Sequence, residues 1–268
     1  MNAHADGAAG WAQSFVTIAG CKVRLLRGGK GAPLLYLHGA GGGGVWLPFL
    51  DELAKRYDVI APEHPGYGLS ETPDWLDNIQ DMAFFYLDLI EELGLEPLHL
   101  VGTSLGGWIA AEIAIRDCSR LKSMTLVAPA GIHVKGVAKG DIFLWSAEQL
   151  TRNLFHDPKF VEAALARPVT PEDEDAQMKN RFMTARLGWQ PRLYDPMLMK
   201  WLHRARVSTR IIWGEQDKVI PAAYAVPYAA LIPGASVEMI PECGHLPHIE
   251  KKDRLVAAIV AHAEGVRP

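Results

Sequence analysis

Residues 101–108 read VGTSLGGW. The run holds Gly102-Thr103-Ser104-Leu105-Gly106, a G-x-S-x-G pattern, between the apolar strand-like run PLHLVGTS and the helical run LGGWIAAEIAIRD. A serine in that setting sits on a sharp strand-to-helix turn. The turn lifts its hydroxyl above the carboxyl end of a sheet, in a strained backbone conformation. The residues two before and two after the serine must then approach each other closely, which is why both are glycine. Gly106, Gly107, Ala110, Ala111 and Ala114 give the following helix a small-residue face that can pack tightly on the sheet.

A serine hydroxyl is a weak nucleophile without a base beside it. The run IPECGHLPHIEKKD supplies His245, just past a strand and ahead of the last helix. The run IIWGEQDKVIP supplies Asp217 on the loop after the preceding strand. The chain order serine, aspartate, histidine is the one this arrangement requires. In it the carboxylate holds the imidazole tautomer and stabilises the imidazolium that forms. Glu215 lies two residues from Asp217, but the following Val219-Ile220-Pro221 favours Asp217 as the acid. His248 and Cys243 read as structural.

Outward from these motifs the chain alternates. PLLYLHG, YDVIAPEHPG, KSMTLVAPAG, TRIIWGEQD and SVEMIPECGH read as strands, with helical runs between them. One such run is expected over Val45 to Arg56, and another, DMAFFYLDLIEELG, ends on Gly94. Short apolar strands separated by helices indicate a mostly parallel sheet covered on both faces, an α/β architecture. SFVTIAGCKVRLLRGGKG alternates around Gly20 and predicts a β-hairpin, and residues 1–12 read as a flexible tail. The rhythm breaks between Ile132 and Arg206. Thr170 as N-cap, Pro171 at the first position and acids in the first turn mark a helix start there. We therefore expect a core of 13–131 and 207–268 with a helical cap, 132–206, inserted between two strands.

With HGAGG, PGYGLS (65–70), GTSLGG, WGEQDKVIP and CGHLPHIE in place, the chain resembles the α/β-hydrolase fold enzymes from about Phe15 onward. The resemblance implies a serine hydrolase of the esterase or carbon–carbon hydrolase type, with Ser104, Asp217 and His245 as its triad and no cofactor. It implies an oxyanion hole made by the N–H groups of Ala40 and Leu105, with Gly41 as the alternative to Ala40. Gly41, Trp145 and Trp189 are expected to contact substrate. His38 is expected to orient the glycine loop, and Glu63 is read as structural. Carbon–carbon bond hydrolases of aromatic ring cleavage have a similar glycine-rich loop. They typically carry Asn and Trp where this chain has Thr103 and Leu246. A small-molecule receptor on the same fold is a third, non-catalytic possibility.

The glycine run has a rival reading. Gly39 to Gly44 spells G-x-G-x-x-G, and Glu63 follows 19 residues later, close to a dinucleotide-binding fingerprint. Both readings use glycine to bring N–H groups near a negative oxygen. The dinucleotide reading leaves the serine, the acid and the histidine unexplained.

A formal charge of −4 without a long basic run gives no pull toward nucleic acid or anionic lipid. Three scattered cysteines make neither a disulfide framework nor a zinc pattern, and no metal is expected. With no secretory leader or long apolar run in view, the expectation is a cytoplasmic protein, monomer or homodimer, acting on a small molecule without membrane contact.

Overall fold

The computed structural model describes residues 10–266. Its strands are β1 (Trp11–Ile18), β2 (Cys21–Gly28), β3 (Ala32–Leu37), β4 (Tyr57–Pro62), β5 (Leu98–Thr103), β6 (Leu121–Val127), β7 (Thr209–Gly214) and β8 (Ser236–Ile240). They form one sheet in the order β1-β2-β4-β3-β5-β6-β7-β8. β1/β2 and β2/β4 are antiparallel and every other pair is parallel. The helices are α1 (Pro48–Ala54), α2 (Ile79–Glu92), α3 (Leu105–Arg116), α4 (Ala147–Leu154), α5 (Pro158–Ala166), α6 (Pro171–Gly188), α7 (Pro196–Trp201), α8 (Ala225–Ala230), α9 (Pro247–Glu250) and α10 (Lys252–Gly265).

Alternation along each strand builds two cores, because successive side chains point to opposite faces. Leu34 and Tyr36 of β3 join Phe49, Leu50 and Leu53 of α1 and Ile259 of α10 on one face. Leu35 and Leu37 join α2, α3 and α8 on the other. All of these core residues are almost fully buried. The sheet is an α/β-hydrolase arrangement with helices on both sides, as the motifs imply.

Three local details differ from the sequence reading. The helix after the glycine run spans only Pro48–Ala54, not Val45 to Arg56. Proline is preorganised for the first helical position and the glycines before it favour loop, so the helix begins there. β1 begins at Trp11, inside the stretch read as a tail, because Trp11 pairs with Gly28 and stacks on Trp46 at 5.6 Å. Residues 1–9 lie outside the described residues. The helix expected from Asp81 starts at Ile79, where Asn78 caps it in a reciprocal capping box with Asp81.

The β1–β2 hairpin turns at Ala19-Gly20, both with positive φ. Between β6 and β7 lie α4 to α7, with the bridge Gly131/Tyr194 as the isolated strand-type pairing there. Thr170 caps α6 and Pro171 opens it. The strand order reverses between β3 and β5: the chain passes from β3 to β4 on one side, and from β4 it crosses back to β5 on the other. Crevices at the carboxyl ends of parallel strands form at such a switch point.

Candidate active site

Ser104 follows β5 directly and is the N-cap of α3, with φ 54 and ψ −111. A side chain avoids that region, so Ser104 is held there by its surroundings. Its N–H donates to Val127 C=O and its own carbonyl accepts from Trp108 and Ala130 N–H. A Cβ on Gly102 would collide with the carbonyl of Gly106, and a Cβ on Gly106 with that of Leu37. Only glycine permits either approach.

His245 lies in the loop after β8 and is 3% exposed, with its N–H on the carbonyl of Leu154. Its Nε2 stands 3.0 Å from Ser104 Oγ, and its Nδ1 stands 2.7 Å from Asp217 Oδ2. The other oxygen of Asp217 accepts from the N–H groups of Val219 at 2.8 Å and Ile220 at 2.9 Å. With both oxygens engaged, the carboxylate has one orientation. Glu215 is exposed and outside this chain of contacts.

The glycine loop follows β3, beside the serine. A Cβ on Gly39 would lie 3.4 Å from the Cβ of Ser104, whereas one on Gly41 would meet nothing within 4 Å. Gly42 N–H closes a turn onto Gly39 C=O at 3.2 Å. Among the described residues, neither Ala40 N–H nor Leu105 N–H donates to a protein acceptor. Leu105 is in the first turn of α3, where backbone donors have no partner within the helix.

Two stacked histidines support the loop from below. His38 Nδ1–H donates to Gly39 C=O at 2.7 Å, and its Nε2 accepts the backbone N–H of His64 at 2.9 Å. His64 Nε2–H donates to His38 C=O, and its Nδ1 accepts from the Tyr86 hydroxyl. Burial lowers the pKa of His38 to about 4 and that of His64 well below the ordinary histidine value. Both rings are therefore neutral scaffolding. Glu63 is 2% exposed and takes Arg24 in a two-pronged ion pair at 2.7 and 3.1 Å, plus the N–H of Leu69. It ties β2 to the PGYGLS turn.

The two tryptophans expected to contact substrate both lie in the segment between β6 and β7. Trp189 is 46% exposed, flanked by Phe143 at 5.3 Å and with Arg192 over its face at 4.3 Å. Neither partner belongs to the serine, histidine or glycine loops. Trp145 lies over Gly140, whose N–H bonds to Val219 C=O beside the Asp217 loop.

Two residues that the sequence reading passed over join the loops to the helical segment. Asn180 of α6 bonds to both Gly41 and Gly68. Glu250 of α9 accepts the N–H groups of Gly244, next to His245, and of His156 and Asp157 between α4 and α5. Among the described residues, no group of three His, Cys, Asp or Glu side chains could hold a metal ion, and no helix is long and apolar enough to cross a membrane.

The family model for the alpha/beta hydrolase fold matches residues 32–252. The chain belongs to this family. A dihydrolipoyllysine-residue acetyltransferase component of the acetoin cleaving system from Cupriavidus necator is 32% identical over 95% of this α/β hydrolase and 70% of its own length. A 2-hydroxy-6-oxo-6-(2'-aminophenyl)hexa-2,4-dienoic acid hydrolase from Metapseudomonas resinovorans is 26% identical, covering 94% of this chain and 90% of that protein. The crystal structure of a meta-cleavage product hydrolase superposes with a TM-score of 0.81 at 24% identity, over 94% of this chain and 98% of that one. That last likeness concerns the fold of this α/β hydrolase alone.

Proposed function

We propose that this α/β hydrolase cleaves a carboxylic ester or similar carbonyl substrate through an acyl-enzyme on Ser104. One observation carries the reading: three side chains from three separate strand exits form one hydrogen-bonded line, Ser104 Oγ to His245 Nε2 and His245 Nδ1 to Asp217 Oδ2.

In this mechanism Ser104 Oγ attacks the carbonyl carbon as His245 Nε2 takes its proton. The tetrahedral oxyanion is held by the N–H groups of Ala40 and Leu105, each contributing about 3 kcal/mol to lowering the barrier. His245 then gives the proton to the leaving oxygen, and an alcohol departs. Water attacks the acyl-enzyme with His245 again as base, releasing a carboxylic acid and restoring Ser104. Asp217 fixes the tautomer of His245 and balances its transient charge. Residues 132–206 act as the cap over the site.

Fluorophosphonate labelling with mass mapping tests this. Modification at Ser104, absent in Ser104→Ala, supports it. No labelling, together with tight binding of a small ligand, would move the chain to the receptor class.

A second reading is carbon–carbon bond hydrolysis of a ring-cleavage dienone. It is supported by the near full-length similarity to the dienoic acid hydrolase and by the loop HGAGGGG. Thr103 and Leu246 count against it. Turnover of a dienone in preference to p-nitrophenyl esters would favour this reading.

A further inference from the structure

The helical segment between β6 and β7 reaches the glycine loop through one buried amide. Asn180 of α6 is 6% exposed. Its Nδ2 donates to Gly41 C=O at 3.0 Å, and its Oδ1 accepts Gly68 N–H at 2.9 Å. A carbonyl can only accept and an amide N–H can only donate, so the side chain has one orientation. A Cβ on Gly42 would collide with that amide, so the glycine is fitted to Asn180.

The bonds continue in series. The two peptide units involved are trans, so the C=O and N–H of each point in opposite directions. The unit joining Gly41 to Gly42 offers its oxygen to Asn180 and its N–H to Gly39 C=O, at 3.2 Å. The unit joining Gly39 to Ala40 takes that bond, together with His38 Nδ1–H at 2.7 Å, on its oxygen. Its N–H, that of Ala40, is thereby turned the opposite way. Bonds in such a chain polarise one another.

We propose that Asn180 is a positioning residue through which helix α6 sets the aim of the Ala40 N–H. The inference rests on the reading of Ala40 as an oxyanion donor. Effective donors stand about 2.7–3.1 Å from the position the developing oxyanion takes, a narrow window. Loosening the outer end of the chain therefore acts on the transition state and hardly on substrate binding. Lys179 is the natural control. Its ammonium also docks α6, on the carbonyls of Gly68 and Ser70 at 2.8 and 2.6 Å, but makes no bond to the glycine loop.

The test uses p-nitrophenyl acetate for kcat and KM, and phenylboronic acid, which forms a tetrahedral adduct on an activated serine, for inhibition. Asn180→Asp keeps the acceptor for Gly68 and removes the donor to Gly41. Asn180→Leu removes both. The expected result is a kcat lowered about tenfold in each, KM within about twofold of wild type, and boronate affinity weakened in step with kcat. Lys179→Met is expected to lower the melting temperature and leave kcat in place. If Asn180→Leu does not fold, Asn180→Asp, which is nearly isosteric, decides alone. Wild-type kcat and boronate affinity in Asn180→Asp would overturn the proposal, and so would an equal loss of kcat in Lys179→Met. A wild-type protein that is neither labelled at Ser104 nor active would instead defeat the serine-hydrolase reading itself.

Discussion

The imidazole rings of His38 and His64 stack with their centroids 3.6 Å apart, inside the protein. Each ring uses both nitrogens, and each accepts a hydrogen bond at one of them. A proton added to either ring would remove an acceptor and bury a charge.

This predicts acid-sensitive folding. Unfolded histidine takes its proton near 6.5, whereas burial lowers folded His38 and His248 to about 4. Between those values the unfolded chain binds more protons. The stability these two rings contribute is therefore full above pH 6.5 and is lost as the pH falls toward 4. His38 alone accounts for a loss on the order of 3 kcal/mol across that window. Urea midpoints at pH 7 and pH 5 check this, and equal midpoints would count against it. Among the described residues His248 Nδ1 is buried without a hydrogen-bond partner, so His248→Leu should shrink the difference between the two pH values.

Ser104 stores backbone strain at φ 54. Glycine adopts positive φ without that cost, though it gives up entropy in the folded chain. Ser104→Gly should therefore be more stable than Ser104→Ala by about 1 kcal/mol, with both inactive. Paired thermal melts decide the point. Ala above Gly would show that the elbow is relaxed.

Asp217 and Glu215 are two residues apart, but only Asp217 meets His245. Asp217→Asn should lower kcat by a factor on the order of 10⁴, because the amide favours the wrong imidazole tautomer. Glu215→Gln should change kcat less than about twofold, being an exposed substitution away from the reacting groups. Steady-state kinetics on p-nitrophenyl esters separate the two, and a reversed order would move the acid.

The Arg24–Glu63 pair is buried, with side-chain exposures of 13% and 2%. Arg24→Met would leave a carboxylate inside with little to balance it, costing about 3–5 kcal/mol. Adding Glu63→Gln should recover much of that loss. Denaturant titrations of both variants test this. An unchanged midpoint in Arg24→Met would mean that the pair adds nothing.

The parts of this molecule legible in the sequence are those that a local backbone requirement writes into adjacent residues. Gly102 and Gly106 bracket Ser104 because their backbones nearly touch, and Thr170-Pro171 opens α6 because a helix start needs a cap and tolerates proline. Asn180 and Glu250 escaped notice for the opposite reason. They bond to main-chain groups 139 residues away at Gly41 and 94 at His156, and a main-chain partner leaves no side-chain signature. For Trp189 the sequence offers only aromatic content, in which a pocket wall and a surface cluster read alike, and its contact with Arg192 lies outside any motif. α1 came out shorter than its periodicity because hydrophobic spacing extends past the point where glycine lets the helix form.

Glu250 gathers backbone N–H groups from both the histidine loop and the α4–α5 turn. The helical segment contributes only main chain to that junction, so the contact asks nothing of the His156 side chain, while Asp157 still caps α5 through Lys159 N–H. The fastening itself is made to backbone N–H groups, which any residue but proline supplies. A lineage, or an engineer, could therefore rewrite much of the segment 132–206 while its attachment beside His245 stays intact, provided the loop length there is kept.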